Sequence, residues 1–349
     1  MGTASEFIDL RSDTVTLPTD EMLEAIKHAK LGDDVFREDP TVTTLEELAA
    51  KTFGKDAALL ATSGTQANLV SLMTNTNRGD MVVLEAESHI YWYEVGAISA
   101  IAGLMPWPIN SANGALDPER IQAALRPKNI HFPDTTLICI ENTHNRHGGT
   151  VITPRQIEAI SEIAKTNDLK LYMDGARIFN AAVALKIDVK RLSQHVDNLM
   201  FCLSKGLSCP VGSIVVGDTE FIEKARKTRK ILGGGMRQAG VIAAPGIIAL
   251  ETMISRLDED HRNARILAEG LVKTKGIEVE LENVQTNIVY FTIQNLGITA
   301  DDFVSQLKEL GILALVRDQT TVRMVTHRGI EKTHIDRTLS VVEDIGRKL

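Results

Sequence analysis

Aromatic side chains make up only 4% of the 349 residues, and there are just three cysteines. So few rings leave no basic patch interleaved with stacking aromatics. The 38 Lys and Arg against 46 Asp and Glu give a net charge of −8, and no basic stripe stands out. Nucleic acid is therefore not an expected partner. Cys139, Cys202 and Cys209 are odd in number and two lie in or beside apolar runs, so a reducing cytoplasm is expected rather than disulfides. Long hydrophobic runs are missing too. The longest, residues 95–109, holds glycine, serine and two prolines, and is too short to span a bilayer. The opening MGTASEFIDLRSD lacks the basic start and apolar stretch of a signal peptide, and Glu6 breaks the myristoylation pattern. No membrane association is expected.

What is present is an ordinary globular composition, 44% hydrophobic and 24% charged, with length for two domains. Strand-like apolar runs at 57–62, 81–85, 136–140, 169–173 and 199–203 alternate with helical patterns such as 65–75 and 154–167. Thr153 and Pro154 stand where an N-cap and a first-turn proline belong. Alternation of this kind predicts an α/β fold, a mostly parallel sheet flanked by helices. A long helix is expected over 246–272. Strands at 287–293, 312–316 and 322–326, with helices near 300–310 and 332–347, then read as a smaller C-terminal α+β domain. The expected division is 1–245, including the N-terminal segment, and 246–349.

Ligands of open α/β sheets bind outside the carboxyl ends of the strands, and four clusters follow strand-like runs directly. ATSGTQAN, residues 61–68, runs a strand into a helix through Gly64 and Thr65. That makes either a plain cap or a phosphate site built from backbone N–H groups. In LYMDGARIFNA, Asp174 ends a strand with Arg177 three residues on, as a cap, an ion pair or a partner for a protonated ring nitrogen. Lys205, in NLMFCLSKGLSCPVGS, has no acidic residue between Asn198 and Gly217. It either snorkels to solvent or, desolvated, supplies a neutral amine. His89, in EAESHIYWYEVG, is a loop hydrogen-bonder or a stacking ring. Together, a phosphate cradle, a stacking ring, a carboxylate and a strand-end lysine are what pyridoxal phosphate requires. His144 and His147 show no third ligand nearby, so no metal site is expected.

The chain resembles the low-specificity threonine aldolases, fold-type I pyridoxal phosphate enzymes with the aspartate aminotransferase-like fold. The resemblance runs through LRSDTVTLPT, GDDVFREDPTV, ATSGTQAN, ENTHN, MDGARIFNA, FCLSKGLSCPVGS, GGGMRQAG and VRMVTHRG, from residue 10 to residue 329. It implies Lys205 as the amine bonded to the cofactor, Asp174 on the pyridine nitrogen, and His89 stacked on the ring. By the same resemblance Gly64 and Thr65 hold the phosphate, and Ser12, Arg177 and Arg323 contact the substrate carboxylate or the cofactor. His131 corresponds to a histidine reaching the substrate hydroxyl, and Tyr93 and His131 are candidates for reading the β-carbon configuration.

The expected reaction is cleavage of threonine or allo-threonine to glycine and acetaldehyde. Its base is open among His89, His131 and an ordered water. A transaminating or β-eliminating enzyme of the same fold is the rival within the chemistry, and a non-catalytic binding protein the rival outside it. The resemblance also implies a homo-oligomer, a dimer of dimers with a shared active site. The glycine-rich GGGMRQAG loop fits that expectation, with Arg237 near the subunit boundary and within reach of a phosphate.

Overall fold

The computed structural model describes residues 7–348, so the part of the leader reading that rests on residues 1–6 lies outside it. Twelve strands are formed among the described residues, β1 (Ile8–Asp9), β2 (Ala57–Ala61), β3 (Met81–Glu85), β4 (Met105–Ile109), β5 (Thr135–Glu141) and β6 (Lys170–Asp174) leading. They continue with β7 (Asn198–Cys202), β8 (Ser213–Gly217), β9 (Ile288–Thr292), β10 (Ile312–Leu313), β11 (Leu315–Val316) and β12 (Thr321–Val325). The main sheet has the order β2-β8-β7-β6-β5-β3-β4. All its pairings are parallel except those of β8, which runs antiparallel to both β2 and β7. Period-two alternation splits the strand residues between two cores. Val83, Ile138, Leu171, Met173 and Phe201 face one, while Val82, Leu137, Cys139, Tyr172 and Met200 face the other. Helices therefore cover both faces, as the apolar runs predict.

β4 was not legible as a strand, because MPWPI carries two prolines. It lies at the sheet edge and pairs only with β3. Met105 N and Ile109 O bond toward β3, so Pro106 and Pro108 turn to the open edge, where a missing N–H does no harm. The long helix expected over 246–272 is broken. Gly240–Ile248 passes through a π-turn, Ala249–Met253, and then bends by 68° into Leu257–Leu271. No single described helix is long and apolar enough to cross a membrane, and the bent pair is so by length and composition alone. The bend serves two cores at once. Leu257 packs beneath the main sheet, and Leu267 and Leu271 pack on the smaller one.

The smaller sheet, β11-β12-β9, is antiparallel. The N-terminal segment packs beside it: β1 pairs parallel with β10 in a separate two-stranded sheet, and Ile8 and Leu10 enter the apolar cluster of Phe291, Phe303 and Ile312. Val325 N donates to Leu10 O at 2.8 Å. This tether brings Ser12 and Asp13 to the carboxyl edge of the main sheet.

Candidate active site

β6 ends on Asp174, a residue only 3% exposed. Oδ1 accepts from Ala176 N and Oδ2 from Asn68 Nδ2, each at 3.0 Å. Asn68 stands four residues after Gly64 on the helix Gly64–Asn75, one turn in and so on the same side. Its Nδ2 also donates to Glu94 Oε1 at 2.6 Å, and its Oδ1 accepts from Tyr172 Oη at 2.5 Å. Glu94 in turn lies 3.0 Å from His89 Nδ1. A continuous buried chain thus links His89, Glu94, Asn68 and Asp174. Burial opposes a charge on His89, but the Glu94 contact and the Asp174 and Glu141 charges outweigh it and raise its pKa. Burial, with the nearby Asp174 charge, also raises that of Glu94. The His89 ring stacks on Tyr93 at 5.5 Å and 26°.

The turn after β2 begins that same helix. Ser63 Oγ accepts from Gln66 N at 3.1 Å as its cap, and the N–H groups of Gly64 and Thr65 have no acceptor among the described residues. A Cβ on Gly64 would stand 3.0 Å from Cys202 Sγ, so glycine lets this backbone press against the end of β7. The loop with Gly234 lies against the same helix start, at Gln66. Arg237, beyond it, has a largely exposed side chain and reaches Asp33 Oδ2 at 3.1 Å.

Lys205 sits three residues beyond β7, half-buried in the turn ending at Ser208. Its carbonyl accepts from Thr16 Oγ1 and Ser208 N, both at 2.8 Å. Nζ has no ion-pair or hydrogen-bond partner among the described residues, and its charge is felt by both Asp13 and His89.

The two arginines behave differently. Arg177 spends its fork on Asp13, with Nε to Oδ2 at 2.7 Å and Nη2 to Oδ1 at 2.6 Å. Arg323 donates Nη2 to Asn145 Oδ1 at 2.9 Å and Nη1 to Arg11 O at 3.0 Å. Its Nε is buried with no partner. Burial and the neighbouring Arg177 charge lower its pKa. Ser12 caps the short turn Asp13–Val15. Tyr93, about half exposed, accepts from Arg146 Nη1 at 2.5 Å.

One residue stands apart. His131 is exposed and precedes β5, so within the chain it lies at the sheet edge opposite Asp174. The other predicted residues converge on the carboxyl edge, apart from Arg237 at its margin. Sequence reasoning did not single out Asp13, Asn68, Glu94 or Asn145, each within a quoted segment. The one available signal was the four-residue spacing of Gly64 and Asn68.

The model of the beta-eliminating lyase family matches residues 9–294. Low-specificity L-threonine aldolase 1 of Arabidopsis thaliana is 46% identical over 338 residues, covering 95% of this chain and 94% of that protein. The low specificity L-threonine aldolase of Escherichia coli K12 is 39% identical, covering 94% and 96%. A threonine aldolase from Leishmania major shares the fold at 19% identity and a TM-score of 0.84, over 97% and 99% of the two chains. The chain belongs to the beta-eliminating lyase family, and to the low-specificity L-threonine aldolases within it.

Proposed function

We propose that the protein cleaves L-threonine, L-allo-threonine and related β-hydroxy-α-amino acids to glycine and an aldehyde such as acetaldehyde, using pyridoxal 5′-phosphate. The observation that carries this reading is the convergence at one sheet edge of Lys205 after β7, Asp174 at the end of β6, and His89, which is linked to Asp174 through Glu94 and Asn68. A ring stacked there would have a carboxylate and an amine within reach. The donor set fits the cofactor: two N–H groups without acceptors at Gly64 and Thr65 suit a phosphate. Lys205 Nζ is free to bond an aldehyde carbon, and Asp174 can hold a pyridine nitrogen protonated. When bound, the cofactor supplies an electron sink for the pair released as the substrate's Cα–Cβ bond breaks.

The chain's own residues do the rest. Arg323, with an unpartnered Nε, takes the substrate carboxylate, and Arg177 stays fixed on Asp13 beside it. Clamping the carboxylate orients Cα–Cβ for cleavage. His89 Nδ1 is engaged by Glu94, leaving Nε2 to remove the proton from the β-hydroxyl. Residues up to 245 hold the cofactor in this reading, and the C-terminal residues from 246 contribute Arg323. Borohydride reduction followed by peptide mapping tests the assignment, with the pyridoxyl label expected on Lys205. Acetaldehyde should be released from both diastereomers. Label elsewhere, or no aldehyde from either, overturns it.

The same reading makes the protein a homo-oligomer whose active site lies at a subunit boundary, as a dimer of dimers. Phe36 and Ile231 are 69% and 75% exposed and lie near in sequence to the Asp33–Arg237 pair. Apolar surface of this kind supports a contact between copies. The three cysteines are buried and unpaired, which supports a reducing, cytoplasmic setting.

A further inference from the structure

Next to this site stands a cluster that the proposed reaction does not use. Glu85 ends β3, and His144 and His147 occupy the turn after β5. Two histidines three residues apart had no visible third group in the sequence; folding places Glu85 between them. His147 Nε2 lies 3.2 Å from Glu85 Oε1. His144 Nε2 lies 3.0 Å from Glu85 Oε2, but off the direction of a hydrogen bond. Neither nitrogen of this fully buried imidazole has a hydrogen-bond partner among the described residues, and Nε2 has only its ion-pair contacts with Glu85 and Glu141. A buried ring in that state is a rare arrangement, and it asks for an occupant.

From this geometry we infer that Glu85, His144 and His147 bind a divalent transition metal, zinc fitting best. One atom from each residue lies within 4.8 Å of the others'. The two imidazoles approach opposite oxygens of the one carboxylate, His144 Nε2 at 3.0 Å from Oε2 and His147 Nε2 at 3.2 Å from Oε1, within the roughly 3.3 Å that separates two ligands of a tetrahedral zinc. Two imidazoles and a carboxylate suit zinc or a neighbouring first-row ion, whereas calcium and magnesium prefer oxygen throughout. The carboxylate is already oriented. Oε2 accepts from Glu87 N at 2.6 Å and Oε1 from Ser111 Oγ at 2.9 Å, the kind of outer support metal ligands require. His144 is held closely from behind, where Gly114, at φ +86°, leaves room that a Cβ would fill at 2.6 Å. His147 is slightly exposed and borders a cavity with Arg146, Gly148 and Tyr290, which gives an entry path and a place for the open fourth ligand.

The site has a structural consequence. Asn145, between the two histidines, accepts from both Arg177 and Arg323. A metal fastening this turn to the end of β3 would hold that acceptor in place. The inference stands on the cluster itself and is independent of the reaction proposed above.

The holoenzyme, dialysed against a chelator, is titrated with zinc alone in the presence of a chromophoric competitor. One zinc per chain is expected, with a rise in the thermal midpoint. The buried cysteines should not compete for it. His147→Gln, at the most accessible ligand, should weaken uptake by at least about 10-fold, and Glu85→Gln likewise, with circular dichroism checking that each variant is folded. Cobalt in place of zinc should give visible bands of a nitrogen–oxygen site, absent in His147→Gln. No stoichiometric uptake by the parent protein would mean that a proton rather than a metal joins these groups, and would overturn the inference. Unchanged uptake by folded His147→Gln would overturn it equally.

Discussion

Arg177 and Asp13 form a two-point ion pair, at 2.6 and 2.7 Å, with both residues buried. The guanidinium fork that a substrate carboxylate would grip is thus already filled. Arg177 Nη1 turns to Asn145 Oδ1, and Arg323 shares that same acceptor. Two arginines so close repel each other, and Asp13 and Asn145 are what keep them side by side. The pocket's positive charge is held ready before any anion arrives.

Asp13→Asn should therefore be among the most destabilising changes near the site. It leaves a buried guanidinium with no opposite charge, a loss of about 3–5 kcal/mol. Burial works against the Asp13 carboxylate, but Arg177 outweighs that and holds its pKa far below the usual range. A depressed carboxylate stabilises the fold fully above its unfolded pKa of about 3.9, and that stabilisation is lost as pH falls toward the folded value. Urea unfolding should show a constant gap between parent and variant above about pH 5, narrowing in stronger acid. A gap that widens in acid would contradict the pairing.

Arg323→Ala should act on binding instead. One charged hydrogen bond contributes about 1.5–3 kcal/mol, so KM for threonine should rise roughly 10- to 150-fold. Steady-state kinetics would show the same change in kcat/KM. An unchanged KM would return the carboxylate to Arg177.

Much of this was legible and some was not, for physical reasons. The runs 81–85, 136–140 and 199–203 were read nearly to the residue, because strands covered on both faces are continuously apolar. Lys205, Asp174 and Gly64 stood out as candidates because a charged or glycine residue at the end of an apolar strand leaves a local mark, and folding brings them to the same sheet edge. Glu94 and Asp13 act through contacts with Asn68 and Arg177 that are 26 and 164 residues away in sequence, and no spacing rule shows such pairs. The bend after Met253 was hidden for another reason. A π-turn follows from how Leu257 and Leu267 are claimed by different cores, and apolar periodicity carries no trace of that choice.

Asp174→Asn should keep cofactor but lose turnover. The amide has one oxygen, so it keeps only one of the bonds that Asp174 accepts from Ala176 N and Asn68 Nδ2, and circular dichroism checks that the variant is folded. An uncharged group cannot hold a pyridine nitrogen protonated, and a loss of about 10²-fold or more in kcat is expected. Near-parent turnover in a variant that still shows the bound-cofactor absorbance would remove Asp174 from its role.

Glu94→Gln should move the acid limb of the rate profile. His89 must be neutral at Nε2 to act as a base, so kcat/KM rises as pH passes its pKa. In the parent, burial lowers that pKa, but Glu94 and neighbouring charges raise it overall. Removing the Glu94 carboxylate leaves burial less opposed. The limb should shift to lower pH, giving relatively more activity on the acid side of the profile. A shift the other way, or none, would separate His89 from the titration that governs the rate.

The last prediction concerns assembly. Among the described residues the Arg237 side chain pairs only with Asp33, and with more than half of that side chain exposed the pair is worth little in water. Its loop nevertheless lies against the helix whose first N–H groups suit a phosphate, through the contact of Gly234 with Gln66. Glycine loses more backbone freedom than any other residue on folding, and Gly233 stands at φ +77° with open space around it. Ordering against a second copy would offset that cost and bury Phe36 and Ile231. Light scattering should therefore give a dimer or tetramer. Arg237→Ala should weaken cofactor retention or assembly, read by the bound-cofactor absorbance and by sedimentation as the protein is diluted. A fully active monomer would end the shared-site reading. An Arg237→Ala protein with parental cofactor affinity and assembly would remove the loop from it.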